Sequence, residues 1–567
     1  MVVSSATRFR SLLCGHRLPA HFHCVCVFAA GGGAPPPRYR PASLALNHHS
    51  HHLSLDLSDG SVKVTPAVPQ RAPLPGTAMH TRTTLPGRPM SIGKRVIPTL
   101  ADVPATTSDA VQRDFTIQFA TPCLGGGTTA GKVDETFPVR AASIRGQLRF
   151  WWRLLHASAF QQSDGATDLP ALRRREQEIF GGPDFPSPLH LQVTTERRCS
   201  DQGNTRSAED HFGFERFGPE CYALFPPLND SDKTQKPPTK IIKEGFSFHL
   251  RLTWPTQQRL SVMRAAQNAD RQKMSPPLPP LPPTIQDPTD EIQHAVLAWL
   301  TWGGLGARTR RGVGSLHCVK WPAEMDIAAA TAPPPGCRLF LYSPPQSDAA
   351  WNAMKAWNTA VEMYRSFRQL FRRPPTGNNR FPGRSRWPEP DSIRMLTGCS
   401  DPDHRIPMFP LDQPLFPRAV LGLPIGFQFK SGPRNEASPD KDPARVTLVP
   451  AGKDRMASPV ITKAVFMHGQ WKSAVLILPF QHALAMNCTL KDTSGPARWD
   501  AQLRRPGKME IDVSPPQIAG PSVAGLSEKT PLTGTPHAIA ALIEFLKRGR
   551  DGQEKQLPVF REWSPAT

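Results

Sequence analysis

Alternation of apolar and polar residues first becomes regular at DFTIQFAT, where Phe115, Ile117 and Phe119 share one face and Thr116 and Gln118 the other. That period predicts a half-buried strand. In SIRGQLRFWWRLLHASAF the spacing lengthens to three and four residues. Ser143 is placed to cap a helix whose apolar stripe is Ile144, Leu148, Trp152 and Leu155, with Arg145, Arg149 and Arg153 forming a cationic stripe one position round. At helical spacing Trp152 belongs in the core, whereas Trp151 could face either the core or a nucleic-acid base. A short charged helix, LRRREQEIF, leads to the alternating LHLQVT, and a second alternating run follows in FSFHLRL. SPPLPPLPP, at 275–283, reads as a polyproline II spacer. Asp287 and Pro288 then signal the start of the helix PTDEIQHAVLAWLTW, which passes through a glycine-rich turn into the strand VGSLHCVKW. The order strand, helix, strand, strand, helix, strand predicts a ferredoxin-like, RRM-type unit.

Past Pro333 the pattern restarts with a long amphipathic helix carrying Trp351, Met354, Trp357, Val361, Tyr364, Phe367 and Phe371, and Arg365, Arg368 and Arg372 on an adjoining face. Apolar stretches in AVLGLPIGFQF, ARVTLVP, SPVITKAVFMH and KSAVLILPF and a final helix, HAIAALIEFLKR, complete a second α+β unit. The fold class expected is α+β, with domains at 111–335 and 336–567. Residues 1–110 are rich in Pro, Gly, Ser, His and Arg, show no sustained period, and read as a disordered extension or an over-extended start. The segments 196–238 and 275–283 read as insertions.

Composition adds charge to this frame. In 567 residues, 68 Lys and Arg stand against 47 Asp and Glu, a formal charge of +21, which points to a polyanionic partner such as nucleic acid. The 64 prolines require much of the chain to be loop. Ten cysteines with no C-x-x-C pair suggest a reduced, cytoplasmic protein, and no segment is apolar for long enough to cross a bilayer. HFHCVC, 21–26, and HHSHH, 48–52, lack the spacing of a structural zinc site, so no metal is expected.

Two glycine loops invite a nucleotide reading, and neither supports it. GGGTTAGKV, Gly125 to Val133, has the P-loop spacing to Lys132 but Val133 in place of the magnesium-binding hydroxyl, and no helix follows at once. GGLGARTRRGVGS, Gly303 to Ser315, has Thr309 where a dinucleotide fingerprint needs its third glycine. No nucleotide cofactor is expected. What the second loop offers is glycine backbone around Arg308, Arg310 and Arg311, a chemically sensible surface for a nucleic-acid backbone. His156, His294 and His317 are the histidines near the basic loops, and no carboxylate cluster accompanies them, so no catalytic centre is defined.

TPCLGGG, PVRAASIRGQLRFWWR, EQEIFGG, WGGLGARTRRGVGSL, PGRSRWPEPDSIR, FPRAVLGLPIGFQF and DRMASPVITK, in that order from about Phe115 to Lys547, resemble the family of first subunits of the Cmr complex. That family lies in the RAMP superfamily of type III-B CRISPR systems. The resemblance implies two tandem RAMP domains and a non-catalytic, RNA-binding role in antiviral defence. It also implies as partners a CRISPR RNA contacted in its 3′ part, the paired single-stranded target RNA and the other Cmr subunits, with no membrane. The alternative is a metal-independent RAMP endoribonuclease processing guide precursors, with His156 or His317 as base. The RNA-contacting set expected is Lys132, Arg140, Arg145, Arg149, Arg153, Gly304, Gly306, Arg308, Arg310, Arg311, Gly312 and Gly314, extended into the second domain by Arg384, Arg386 and Arg418.

Overall fold

A computed structural model describes residues 109–564 except 128–131, 184–186, 196–204, 208–218, 225–239, 282–285, 327–331, 346–347, 370–383, 430–439, 444, 493–509, 525–529, 533 and 551–555. The N-terminal extension, its His and Cys runs and most of the 196–238 insertion lie outside the described residues.

The alternating run becomes β1 (Ala110–Phe119), with Phe115, Ile117 and Phe119 buried. After β2 (Cys123–Leu124) comes α1 (Ala141–His156), then α2 (Leu169–Phe180), β3 (His190–Thr194), β4 (Thr205–Ser207), α3 (Pro219–Leu224), β5 (Lys240–Ile242) and β6 (Ser247–Pro255). Two helices, α4 (Gln257–Gln272) and α5 (Thr289–Trp302), precede β7 (Leu316–Lys320). β3, β6, β1 and β7 form one sheet in that order, every pair antiparallel, with Phe115 opposite Leu250 and Ile117 opposite Phe248. In order of appearance along the chain this is the ferredoxin-like arrangement, with α1 and α5 as its two crossovers. β2, β5 and β4 make a small separate sheet.

Helix α1 begins two residues before the expected cap. The carbonyl of Arg140 already accepts from the amides of Ser143 and Ile144, so Ser143 sits inside the first turn and Arg140 occupies the cap position without a side-chain cap. Trp151 joins Trp152 in the core, each at most 1% exposed, so neither ring is presented to a base. Helix α4 is absent from the pattern reading because Leu260 and Arg264 are its only buried residues. Thr256 caps it by accepting from the Arg259 amide.

A second unit repeats the scheme. It opens on β8 (Arg338–Tyr342), whose consecutive apolar residues show no alternation, ahead of the anticipated long helix α6 (Ala353–Gln369). Helix α7 (Glu389–Thr397) and the strands β9 (Ile425–Phe427) and β10 (Val446–Pro450) come next. Then follow β11 (Val460–Met467), β12 (Gln470–Ile477), β13 (Cys488–Asp492), β14 (Glu510–Val513), α8 (Ala538–Arg548) and β15 (Arg561–Glu562). The sheet order β11, β12, β8, β15, all antiparallel, is the ferredoxin-like order again. β14, β13, β10 and β9 form an added sheet inserted into it.

Helix α5 explains how the two units join. Ile292, Ala295, Val296, Leu297, Ala298, Trp299, Leu300 and Trp302 are all buried, nearly the full circumference of the helix. A helix apolar all round must be covered on both sides. One side packs on the first sheet, and the same core continues into Leu339 of β8, Ile461 and Val465 of β11, and Ala474 and Leu476 of β12.

Candidate nucleic-acid interface

The loop between α5 and β7 leaves helix α5 at Gly303, whose amide closes the last turn on Trp299 O. It is then stitched to residues 122–124: Ala307 N donates to Leu124 O (2.6 Å) and Gly314 N to Pro122 O (2.8 Å), while Leu305 N donates to Gly314 O within the loop (3.0 Å). Thr121 fastens the far end by donating its hydroxyl to Gly312 O (2.6 Å) and accepting from the Ser315 amide (2.9 Å). The TPCLGGG and GGLGARTRRGVGSL motifs are thus two sides of one structure.

Packing explains the glycines before any ligand does. A Cβ on Gly314, at φ +69°, would lie 2.0 Å from Leu305 O, and one on Gly306, at φ +81°, would lie 2.5 Å from Leu124 O. Gly304 O accepts from Trp299 Nε1, and Gly312 packs against Thr462 and Trp357 of the second unit. Gly314→Ala should therefore cost at least ~1–3 kcal/mol from backbone strain alone, read as a lowered urea midpoint. A midpoint equal to wild type would mean that the loop is not held closed in this way.

This backbone presents a single turn, Thr309–Arg311, flanked by Arg308 in the left-handed region at φ 65°. Arg310 turns inward, donating Nη1 to Ser458 O (2.8 Å) with its guanidinium 5.1 Å from the centre of the Phe150 ring. Arg311 donates to Tyr222 O (2.6 Å) and lies over the Tyr222 ring. Burial pushes Arg308 and Arg310 down to about 10, which leaves both charged at neutral pH. After burial, the strongest influences on Arg308 are the guanidiniums of Arg311 and Arg455. Arg455 comes from the second unit and is exposed. Sequence reasoning missed it, although it stands in the DRMASPVITK motif.

The remaining expected residues divide sharply. Lys132 is exposed and Arg140 and Arg386 half-buried. The α1 stripe is turned toward α2: Arg145 donates to Phe180 O (3.2 Å), Leu189 O (3.1 Å) and Ser187 Oγ, and Arg149 to Phe180 O (2.9 Å) and Gly181 O. Arg153 holds Glu176, itself buried, through two bonds of 2.6 and 2.7 Å. Arg145 and Arg149 satisfy the carbonyls at the C-terminus of α2, and Arg153 pairs with a carboxylate within it. Arg384 and Arg418 require correction: they do not extend the surface but are buried in the second unit, paired with Asp391 (2.5 Å) and Glu389 (3.0 Å). The loop they border holds acidic residues that a local reading of its arginines passes over.

His156 and His317 lie in different surroundings. His317 is packed edge-on against Phe466 and Trp471, and burial lowers its pKa. His156 packs on Trp152 and His294, with Glu291 and Arg175 near enough to influence its charge. Among the described residues no group of three or more His, Cys, Asp or Glu could hold a metal, and no helix is long and apolar enough to cross a membrane.

Two ferredoxin-like units in tandem, the first closed by an arginine-bearing glycine loop that leans on the second, define the class of protein. Residues 116–317 match the family model of the RAMP superfamily, a span that begins within β1 and ends within β7. No curated protein matches the chain. Among solved structures it is similar to Cmr1 from Pyrococcus furiosus in its apo form, at 14% identity and TM-score 0.37 over 65% of this chain and 88% of that one. It is also similar to a chain of the type III-B Cmr-beta complex bound to cognate target RNA, at 10% identity and TM-score 0.32 over 65% and 94% of the two chains. A third likeness, to Cmr6 from Pyrococcus furiosus, has 11% identity and TM-score 0.18 over 38% of this chain and 100% of that one. At such values the fold rests on the strand order itself.

Proposed function

We propose that the chain is a non-catalytic RNA-binding subunit of a type III-B CRISPR effector, holding guide or target RNA by its phosphates at the loop 303–315 and at Arg455. The superfamily match, the seven motifs in order and the charge of +21 support the class of partner. The observation that carries the site is that Arg311, on the same loop, and Arg455, from the second unit, both act on the charge of Arg308, a repulsion that a phosphate would relieve.

Salt dependence of single-stranded RNA binding tests this. The log–log slope should fall by about 0.7 for each of Arg308→Gln and Arg455→Gln, with affinity reduced in parallel. Unchanged slopes in both would remove the loop as the RNA site. Substitutions of Arg145, Arg149 and Arg153 should lower thermal stability more than they change the slope, because their donors hold the end of α2. The endoribonuclease alternative draws on the His156, His294, Glu291 and Arg175 group. Specific cleavage of a repeat-containing RNA in EDTA, lost in His156→Ala, would overturn the non-catalytic reading.

A further inference from the structure

A second set of guanidiniums lies away from the glycine loop, around a cavity of about 670 Å³ between α2, α4 and the proline-rich segment. α2 presents Pro170, Arg173, Arg174 and Gln177 to it at spacings of three and four residues, and α4 presents Arg264 and Arg271, two turns apart. The third wall is the chain at Pro279, Pro280 and Leu281. That wall is built in place: Asn268 donates Nδ2 to Leu281 O (3.1 Å) and accepts from Leu281 N (2.8 Å), and Arg271 Nε donates to Pro279 O (2.8 Å).

Arg264 is the anomaly. It is 2% exposed, yet its Nε and Nη1 have no hydrogen-bond partner among the described residues. Its Nη2 reaches Glu178 Oε1 at 3.3 Å, and Glu178 is shared with Arg175, also at 3.3 Å. A buried guanidinium with idle donors is costly, and four arginines around one cavity with a single, already divided carboxylate repel one another. The repulsion falls if an anion enters.

We propose that this cavity binds a phosphate ester of nucleotide size. Arginine clusters favour phosphate because the planar guanidinium matches its oxygens. The cavity volume is that of a site for a whole small ligand, far more than a bare oxyanion fills. The proline and leucine wall offers an apolar face to a sugar or base. Neither glycine motif takes part, so their failure as nucleotide loops does not bear on this site. Two sources carry the chemistry: a free nucleotide, or a nucleotide unit of single-stranded RNA.

Calorimetric titration of the full chain with AMP, adenosine, inorganic phosphate and a five-nucleotide RNA tests the proposal. AMP should bind saturably, and adenosine about tenfold more weakly or not at all. Arg173→Glu/Arg174→Glu, both positions exposed, should weaken AMP about tenfold or more, the loss expected for a charged hydrogen bond. Arg264→Met should do the same, and if that variant fails to fold the exposed pair still decides. Arg455→Gln should leave AMP binding unchanged, which separates this site from the RNA loop. Binding of neither AMP nor the five-nucleotide RNA, or binding of both that is indifferent to Arg173→Glu/Arg174→Glu, overturns the proposal. RNA binding that this pair abolishes, with no AMP binding, assigns the phosphate to a polynucleotide and overturns the free ligand.

Discussion

Glu389→Gln should destabilise the protein by about 3–5 kcal/mol, the usual consequence of removing one charge from a buried pair. Glu389 is fully buried and Arg418 3% exposed. The carboxylate oxygen Oε1 accepts from both the backbone amide (2.9 Å) and Nε (3.0 Å) of Arg418. The guanidinium lies over the Trp387 and Phe427 rings, 5.3 and 5.6 Å from their centres, which supply far less than an ion pair. Glutamine has nearly the same shape, so the loss would report charge and not packing. Glu389→Met/Arg418→Met should recover most of it, since a buried pair replaced whole by apolar residues is often neutral. Urea unfolding of the three proteins measures this. A single variant within ~1 kcal/mol of wild type would mean that water reaches the pair.

The second large effect lies at Lys463, in the middle of β11. Its amine is buried and donates to Gly303 O (2.8 Å), and burial lowers its pKa from 10.5 to about 7. Between those values the unfolded chain holds a proton that the folded chain has released. Stability therefore rises with pH across the window from about 7 to 10.5, by about 1.4 kcal/mol per unit from this group. Lys463→Met removes that slope. The variant should gain most over wild type at or below pH 7 and lose the advantage toward pH 10, where the neutral amine keeps its bond to Gly303. Urea midpoints of both proteins at pH 7, 8 and 9 would show converging curves. Parallel curves would show that the amine is not desolvated as described.

Both residues mark where the reading of the chain succeeded and stopped. β11 was legible as an apolar stretch, SPVITKAVFMH, but a lysine within it gives no sign of whether it points to water or to a glycine carbonyl 160 positions away. PGRSRWPEPDSIR was read for its cations, while Glu389 and Asp391, the residues that draw Arg418 and Arg384 inside, stand in the same motif. β8 and α4 escape the pattern for a related reason: Leu339 to Tyr342 are consecutively apolar with no alternation, and α4 has only two buried positions. Each forms because a partner from elsewhere covers it.

The sequence by itself determined the first βαββαβ order and the stripe that buries α1, which follow from period and are local, whereas the glycine positions and the two-sided burial of α5 depend on segments brought from far along the chain. Tertiary structure alone decided which arginines are available. Arg149 and Arg455 carry the same side chain, yet one is tied to the carbonyls ending α2 and the other stands exposed, near enough to Arg308 to act on its charge. A guanidinium is committed by whatever acceptor a distant segment brings within about 3 Å of it, and nothing in the neighbouring residues records that distance.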